Sequence, residues 1–311
     1  MENTMRWSFL FPGQGSQTVG MGKDLYDAFP EARQVFDSAN QILGRDLVSI
    51  IFSGPQEELT ATQNTQPALF TVEAAICNVL KARGIQPSYC AGHSLGEYSA
   101  LYAAGVLTFE SGLKAVAFRG ELMARAGKTS PGTMAAIIGL SREKIGEVLK
   151  AEASGIVVPA NENSPDQTVI SGEVEAVKDA CEKLKSAGAK RAILLPVSGA
   201  FHSPLMQAAA DEFSSTLNAL DFRDPVCPVI TNVSAKPETD PAVLKELLAK
   251  QLISPVRWVD SMNTLASLDC GTCIEVGPGS VLKGLAKKCS EKLNVVPSDT
   301  ATNIYSLLTN S

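Results

Sequence analysis

Gly92-His93-Ser94-Leu95-Gly96 is the one GxSxG string in this 311-residue chain, and it falls between a short apolar stretch, Tyr89 to His93, and a helical pattern from about Leu95. A serine on a tight strand-to-helix turn is a nucleophile elbow. The glycines leave room for the crowded backbone, the hydroxyl stands exposed, and the following amides face a developing oxyanion at the helix N-terminus. The chemistry this allows is acyl transfer through a serine ester. Taken without its context, the string reads equally as an ordinary glycine-rich turn.

A nucleophilic serine needs a base, and the chain holds two histidines, His93 and His202. His93 is adjacent to Ser94 and, on a strand, projects to the opposite side of the backbone. His202 is what remains. It precedes Ser203-Pro204, which read as the N-cap and first-turn proline of a helix, and a helix N-terminus helps keep an imidazole neutral. The bland alternative is a loop histidine satisfied by local hydrogen bonds. Arg119 is the third informative residue. In a helix from about Phe109 to Arg125 its neighbours three and four positions away are Ala115, Val116, Leu122 and Met123, so a permanent cation sits on an apolar stripe. Its partner is either a carboxylate from another element or an anion belonging to a substrate.

The elements that must carry these residues alternate. Trp7 to Phe11 reads as a strand. Gln66 to Arg83 reads as a helix, with Thr65 as N-cap, Pro67 in the first turn and Gly84 as the stop, and the strand ending at His93 follows. That order predicts an α/β fold with a mostly parallel sheet. The stretch from Gly127 to Ser198 reads instead as strand (Met134 to Leu140), helix (Arg142 to Ala151), strands (Ile156 to Pro159 and Gln167 to Ser171), helix (Val174 to Ala187) and strand (Ala192 to Val197). This is βαββαβ, the ferredoxin-like order. The expected division is a large domain of residues 1–126 and 199–311 with an inserted subdomain of residues 127–198, and a ligand cleft between the two.

Composition removes other classes. A net charge of −6 gives no basic face for nucleic acid, and no apolar run is long enough to span a bilayer. The segment MENTMRWSFLFPGQG fits neither a signal peptide nor a transit peptide, so a cytoplasmic location is expected. Seven scattered cysteines do not make a disulfide framework and point to a reducing compartment. Cys270 and Cys273 form a lone CxxC, and with two histidines no familiar zinc site assembles; no metal is expected. The strings GKT at 127–129, GQGSQT at 13–18 and GPGSVL at 277–282 each lack a glycine that a nucleotide loop requires.

Several strings together resemble the malonyl-CoA:acyl carrier protein transacylases and the related acyltransferase domains of polyketide synthases. They are Phe11-Pro12-Gly13-Gln14-Gly15-Ser16-Gln17, Gly92 to Tyr98, Arg119-Gly120 with Met123, Asn161 in a turn before Ser164-Pro165, Gly199 to Pro204, Gln251, and Glu275 to Gly279. They span nearly the whole chain in that family's order. The resemblance implies a hydrolase-like α/β domain with a ferredoxin-like insert. It implies Ser94 as the acylated nucleophile, His202 as the base and Arg119 as the partner of the malonyl carboxylate. It further implies the backbone amides of Gln14 and Leu95 as the oxyanion hole, and Gln251 as the residue that orients His202 through an oxygen. Gln14, Met123, Asn161 and Phe201 would touch substrate, Phe201 matching a preference for malonyl over methylmalonyl units. The implied partners are malonyl-CoA and acyl carrier protein, whose phosphopantetheine thiol accepts the acyl group in fatty acid or polyketide synthesis. No resident cofactor is implied, since the CoA thioester is a substrate.

Two rivals differ in class. An esterase or thioesterase of the α/β-hydrolase type expects an acidic residue between serine and a late histidine. A silent CoA- or carrier-binding module has no use for Ser94, His202 and Arg119 together.

Overall fold

The computed structural model describes residues 6–309 apart from Ser198, so the outer limits expected for the domains and the insert's end at Ser198 lie outside the described residues. Among the described residues ten strands form two sheets. In chain order they are β1 (Trp7–Phe11), β2 (Pro87–Gly92), β3 (Gly132–Ile138), β4 (Val157–Ser164), β5 (Gln167–Glu173), β6 (Arg191–Leu194), β7 (Val229–Ile230), β8 (Pro237–Glu238), β9 (Thr272–Glu275) and β10 (Val295–Pro297).

The larger sheet runs β10-β9-β1-β2-β7-β8 and is parallel except for its last pair. Every residue of β1 is buried, as expected of a central strand covered by helices on both faces. The pairing of Phe11 with Gly92 brings the C-terminal ends of β1 and β2 side by side, where open α/β sheets bind ligands. The smaller sheet runs β4-β5-β3-β6, antiparallel throughout, with the helices Arg142–Glu152 and Val174–Ser186 packed on it. This is the ferredoxin-like arrangement.

Three elements depart from their expected bounds by four residues or more, the others by three or fewer. The helix expected to start at Gln66 runs from Thr62 to Ala82, with Pro67 inside it. Proline has no N–H for the carbonyl four residues back, here that of Gln63. Arg45 compensates, its Nη2 donating to Gln63 O at 3.2 Å while its Nη1 donates to Asn64 Oδ1. The helix expected to end at Arg125 continues to Thr129, so Gly127 lies within it. Lastly, β4 extends to Ser164, which places Asn161 in a strand rather than a turn. Its polar residues are held by β5 on one side and by Val256 on the other: Val256 N donates to Ala160 O at 2.8 Å and Glu162 N to Val256 O at 2.9 Å.

Arg45→Ala is expected to cost about 1 kcal/mol, because water partly replaces it at the Gln63 carbonyl. Urea denaturation checks this as a lowered midpoint at unchanged slope. An unmoved midpoint would show that the proline-freed carbonyl needs no protein partner.

Candidate active site

The chain turns from β2 into the helix Gly96–Ala103 in three residues. A Cβ on Gly92 would lie 1.9 Å from Gly96 O, and one on Gly96 would lie 2.1 Å from Phe11 O, so neither position admits a side chain. Ser94, between them, adopts φ 51°, the left-handed region that L-residues enter only when the surroundings enforce it. Asn232 supplies part of that enforcement. Its Oδ1 accepts from Ser94 N at 2.7 Å, and its Nδ2 donates to Gly92 O at 2.6 Å. Sequence reasoning missed Asn232, which sits in a loop with no local signature.

His202 meets Ser94 with Nε2 2.7 Å from the serine Oγ. Its Nδ1 lies 2.9 Å from Gln251 O and 3.2 Å from Ser254 O. Carbonyls only accept, so Nδ1 carries the proton, Nε2 holds the lone pair, and the Ser94 hydroxyl donates to it. Burial, and then the Arg119 charge, push the His202 pKa down to about 3. Ser203 and Pro204 do open a 3-10 turn, with Leu205 N donating to Ser203 Oγ, but burial and Arg119 outweigh that helix end in keeping the imidazole neutral. His93 makes no hydrogen bond to Ser94. Its Nε2 pairs with Asn163 Oδ1 at 2.8 Å and its ring packs against Trp258.

Arg119 is 1% exposed. Its Nη1 donates to Gln66 Oε1 (2.9 Å), and its Nη2 donates to Gln251 Oε1 (3.0 Å) and Ser94 Oγ (3.2 Å), with the Tyr98 ring 5.5 Å away. Among the described residues it forms no ion pair with any carboxylate, and its Nε has no partner. The nearby carboxylate is that of Glu97, which accepts from Gln251 Nε2 at 2.6 Å and is pushed up to about pKa 7 by burial. A buried cation, held by neutral amides at the edge of a cavity, can still bind an incoming anion.

That cavity, of about 110 Å³, is lined by Ser94, His202 and Arg119 together with Gln14, Leu95, Met123, Asn161 and Phe201, so the structure brings every expected site residue except Gln251 to its wall. Gln251 stands behind, touching His202 and Arg119. Among the described residues, the backbone N–H groups of Gln14 and Leu95 donate to no acceptor, which leaves them free for an oxyanion. A wider cleft of about 550 Å³ shares Gln14 and Val197 with the cavity and is lined by both Thr62 and Pro196, on opposite sides of the expected domain division. The seven cysteines are free thiols, and no cluster of three or more metal-binding side chains occurs among the described residues. No described helix is long and apolar enough to cross a membrane.

The depressed His202 pKa has a sign that can be tested. Below about pH 6.5 the unfolded chain protonates this histidine while the folded chain does not, until the pH nears about 3. The stability of the native protein relative to His202→Asn is therefore full above about pH 6.5 and falls by about 1.4 kcal/mol per pH unit between there and about pH 3. Urea melts of both proteins from about pH 7.5 to pH 5 check this. Parallel curves would mean that the folded protein carries an ordinary histidine.

Comparison with known proteins agrees with this geometry. The acyl transferase domain family matches residues 8–304. The malonyl CoA-acyl carrier protein transacylase of Bacillus subtilis is 49% identical over 291 residues, covering 93% of this chain and 92% of that protein. A crystal structure of an acyl carrier protein S-malonyltransferase from Vibrio cholerae superposes with TM-score 0.94 at 44% identity, covering 97% of this chain and 99% of that one. A malonyl-transacylase solved in complex with its type II PKS acyl-carrier protein superposes with TM-score 0.94 at 42% identity, covering 98% and 100% of the two chains. With a serine, a neutral histidine and a cavity-lining arginine on this fold, and with identities of this size over almost its full length, the chain belongs to the acyl transferase family.

Proposed function

We propose that the protein transfers the malonyl group of malonyl-CoA to the phosphopantetheine thiol of an acyl carrier protein through an ester on Ser94. The relatives' names support the substrates, and one observation carries the choice of acyl group: Arg119, buried and unpaired with any carboxylate, donates to Ser94 Oγ itself. A carboxylate two bonds beyond an acyl carbonyl on Ser94 falls within its reach.

The Ser94 hydroxyl passes its proton to His202 Nε2 as Oγ attacks the thioester carbonyl. The N–H groups of Gln14 and Leu95 take the oxyanion. Collapse expels CoA, whose sulfur receives the proton from His202. The carrier thiol then enters, loses its proton to the same nitrogen and attacks the ester; the Oγ–acyl bond breaks, the malonyl thioester leaves, and Ser94 Oγ takes the proton back from His202. The imidazolium formed in each half is held by the carbonyls of Gln251 and Ser254. Arg119 by itself disfavours that charge; a malonyl carboxylate paired with Arg119 relieves it. Every proton and leaving group is thus handled by protein side chains, and neither a metal nor a resident cofactor is required. The reading places the enzyme in a reducing cytoplasm, in keeping with its free thiols.

Incubation with malonyl-CoA is expected to add one malonyl group to the intact protein by mass, and Ser94→Ala to abolish it. An adduct retained in Ser94→Ala would remove Ser94 from the mechanism. Arg119→Ala strands a buried carboxylate only when the acyl group is malonyl. It is expected to lower malonyl loading by about two powers of ten or more while sparing acetyl loading. An unchanged malonyl to acetyl ratio would overturn the choice of malonyl.

A further inference from the structure

Glu97 has no part in the steps above, yet it is 1% exposed and ties the site together from behind. Its Oε2 accepts from Gln251 Nε2 at 2.6 Å and from the Asn232 backbone N–H at 3.3 Å. The second amide hydrogen of Gln251 goes to Ser94 O at 2.9 Å, which leaves Gln251 Oε1 for Arg119 Nη2 at 3.0 Å. Each polar atom of this amide therefore has a partner of the right kind. Turned over, it would set an NH₂ group against the guanidinium and an oxygen against the carboxylate, both repulsive in a buried place. The Ser94 carbonyl and the Glu97 carboxylate together exclude that orientation. Of the two, only the Glu97 acceptor is carried on a side chain, so its place depends on that side chain's length.

We propose that Glu97 is a positioning residue for acyl-group recognition: at full glutamate reach it fixes the Gln251 amide, so that Gln251 turns its oxygen to Arg119 and Arg119 faces the acyl carboxylate beside Ser94. This rests on the malonyl reading above. The effect passes through Arg119, which a malonyl group uses and an acetyl group does not. Reach, rather than charge, is the property that matters. An aspartate keeps the charge but withdraws the oxygen by about one methylene, whereas a glutamine keeps an acceptor oxygen at the same distance without the charge.

Two conservative variants of the full-length protein separate these properties, with malonyl and acetyl loading of Ser94 measured by intact mass and melting temperature recorded alongside. Glu97→Asp is expected to lower the malonyl to acetyl ratio about tenfold, through a raised KM for malonyl-CoA with acetyl loading within about threefold of the native rate. Glu97→Gln is expected to keep the ratio within about threefold of the native protein. A structural role would lower the melting temperature and both loadings in proportion, leaving the ratio unmoved. An unmoved ratio in Glu97→Asp, or a ratio lost in Glu97→Gln, overturns the proposal. If the native protein loads acetyl as readily as malonyl, the failure belongs to the malonyl reading, whatever the variants do.

Discussion

The helix that follows Ser94 lies so close to the end of β1 that Gly96 has no room for a Cβ against the Phe11 carbonyl. That steric constraint governs the rest of the site. A helix pressed onto the strand ends leaves three residues for the turn, and three residues close the gap only if the middle one takes a left-handed backbone. The strained serine then points its hydroxyl outward, away from any partner on its own elements. The partners of its amide and hydroxyl come from elsewhere in the chain, Asn232 on the first, His202 and Arg119 on the second, while its carbonyl accepts from Gln251 and, at 3.2 Å, from the Glu97 N–H of the helix that follows it.

The electrostatic arrangement differs from that of a serine hydrolase in one respect that follows from this packing. Main-chain carbonyls of Gln251 and Ser254 stand behind the histidine where a carboxylate would be expected in a hydrolase triad. Carbonyl dipoles fix the tautomer without adding a negative charge. Among the described residues the one fixed charge at the cavity wall is then the Arg119 cation, and an anion behind His202 would compete with substrate for it. The carboxylate of Glu97 is set further back, with an amide interposed.

How much of this was legible in the sequence depended on how local each constraint is. The elbow was readable because its glycines, strand and helix are contiguous, and β1 was readable as an apolar run broken only by Ser8. His202 followed from there being two histidines, and Arg119 from a cation on an apolar helical stripe; the choice between an internal ion pair and an open site needed coordinates. The roles of Asn232, Ser254 and Glu97 were not legible, because the site contacts that define them join residues 52 to 154 positions apart. Proline punctuation misplaced the start of the Thr62–Ala82 helix, since the missing donor is offset by Arg45, itself distant in sequence. The polar run around Asn161 looked like a turn because the strand it forms is paired on both edges by segments the local pattern does not reveal.

The bridge between β4 and Val256 couples two things that seem separate. Val256 is two residues beyond Ser254, whose carbonyl helps hold the imidazole, and its backbone is bonded on both sides to the edge strand of the smaller sheet. The small sheet and the histidine clamp are thus geared together. Any swing of that sheet to widen the cleft for a bulky thioester arm would tug the backbone behind His202 and loosen the proton acceptor. The same few hydrogen bonds thus gauge the distance between the smaller sheet and the imidazole, so that the wall of the cleft and the seat of the proton acceptor share one anchor.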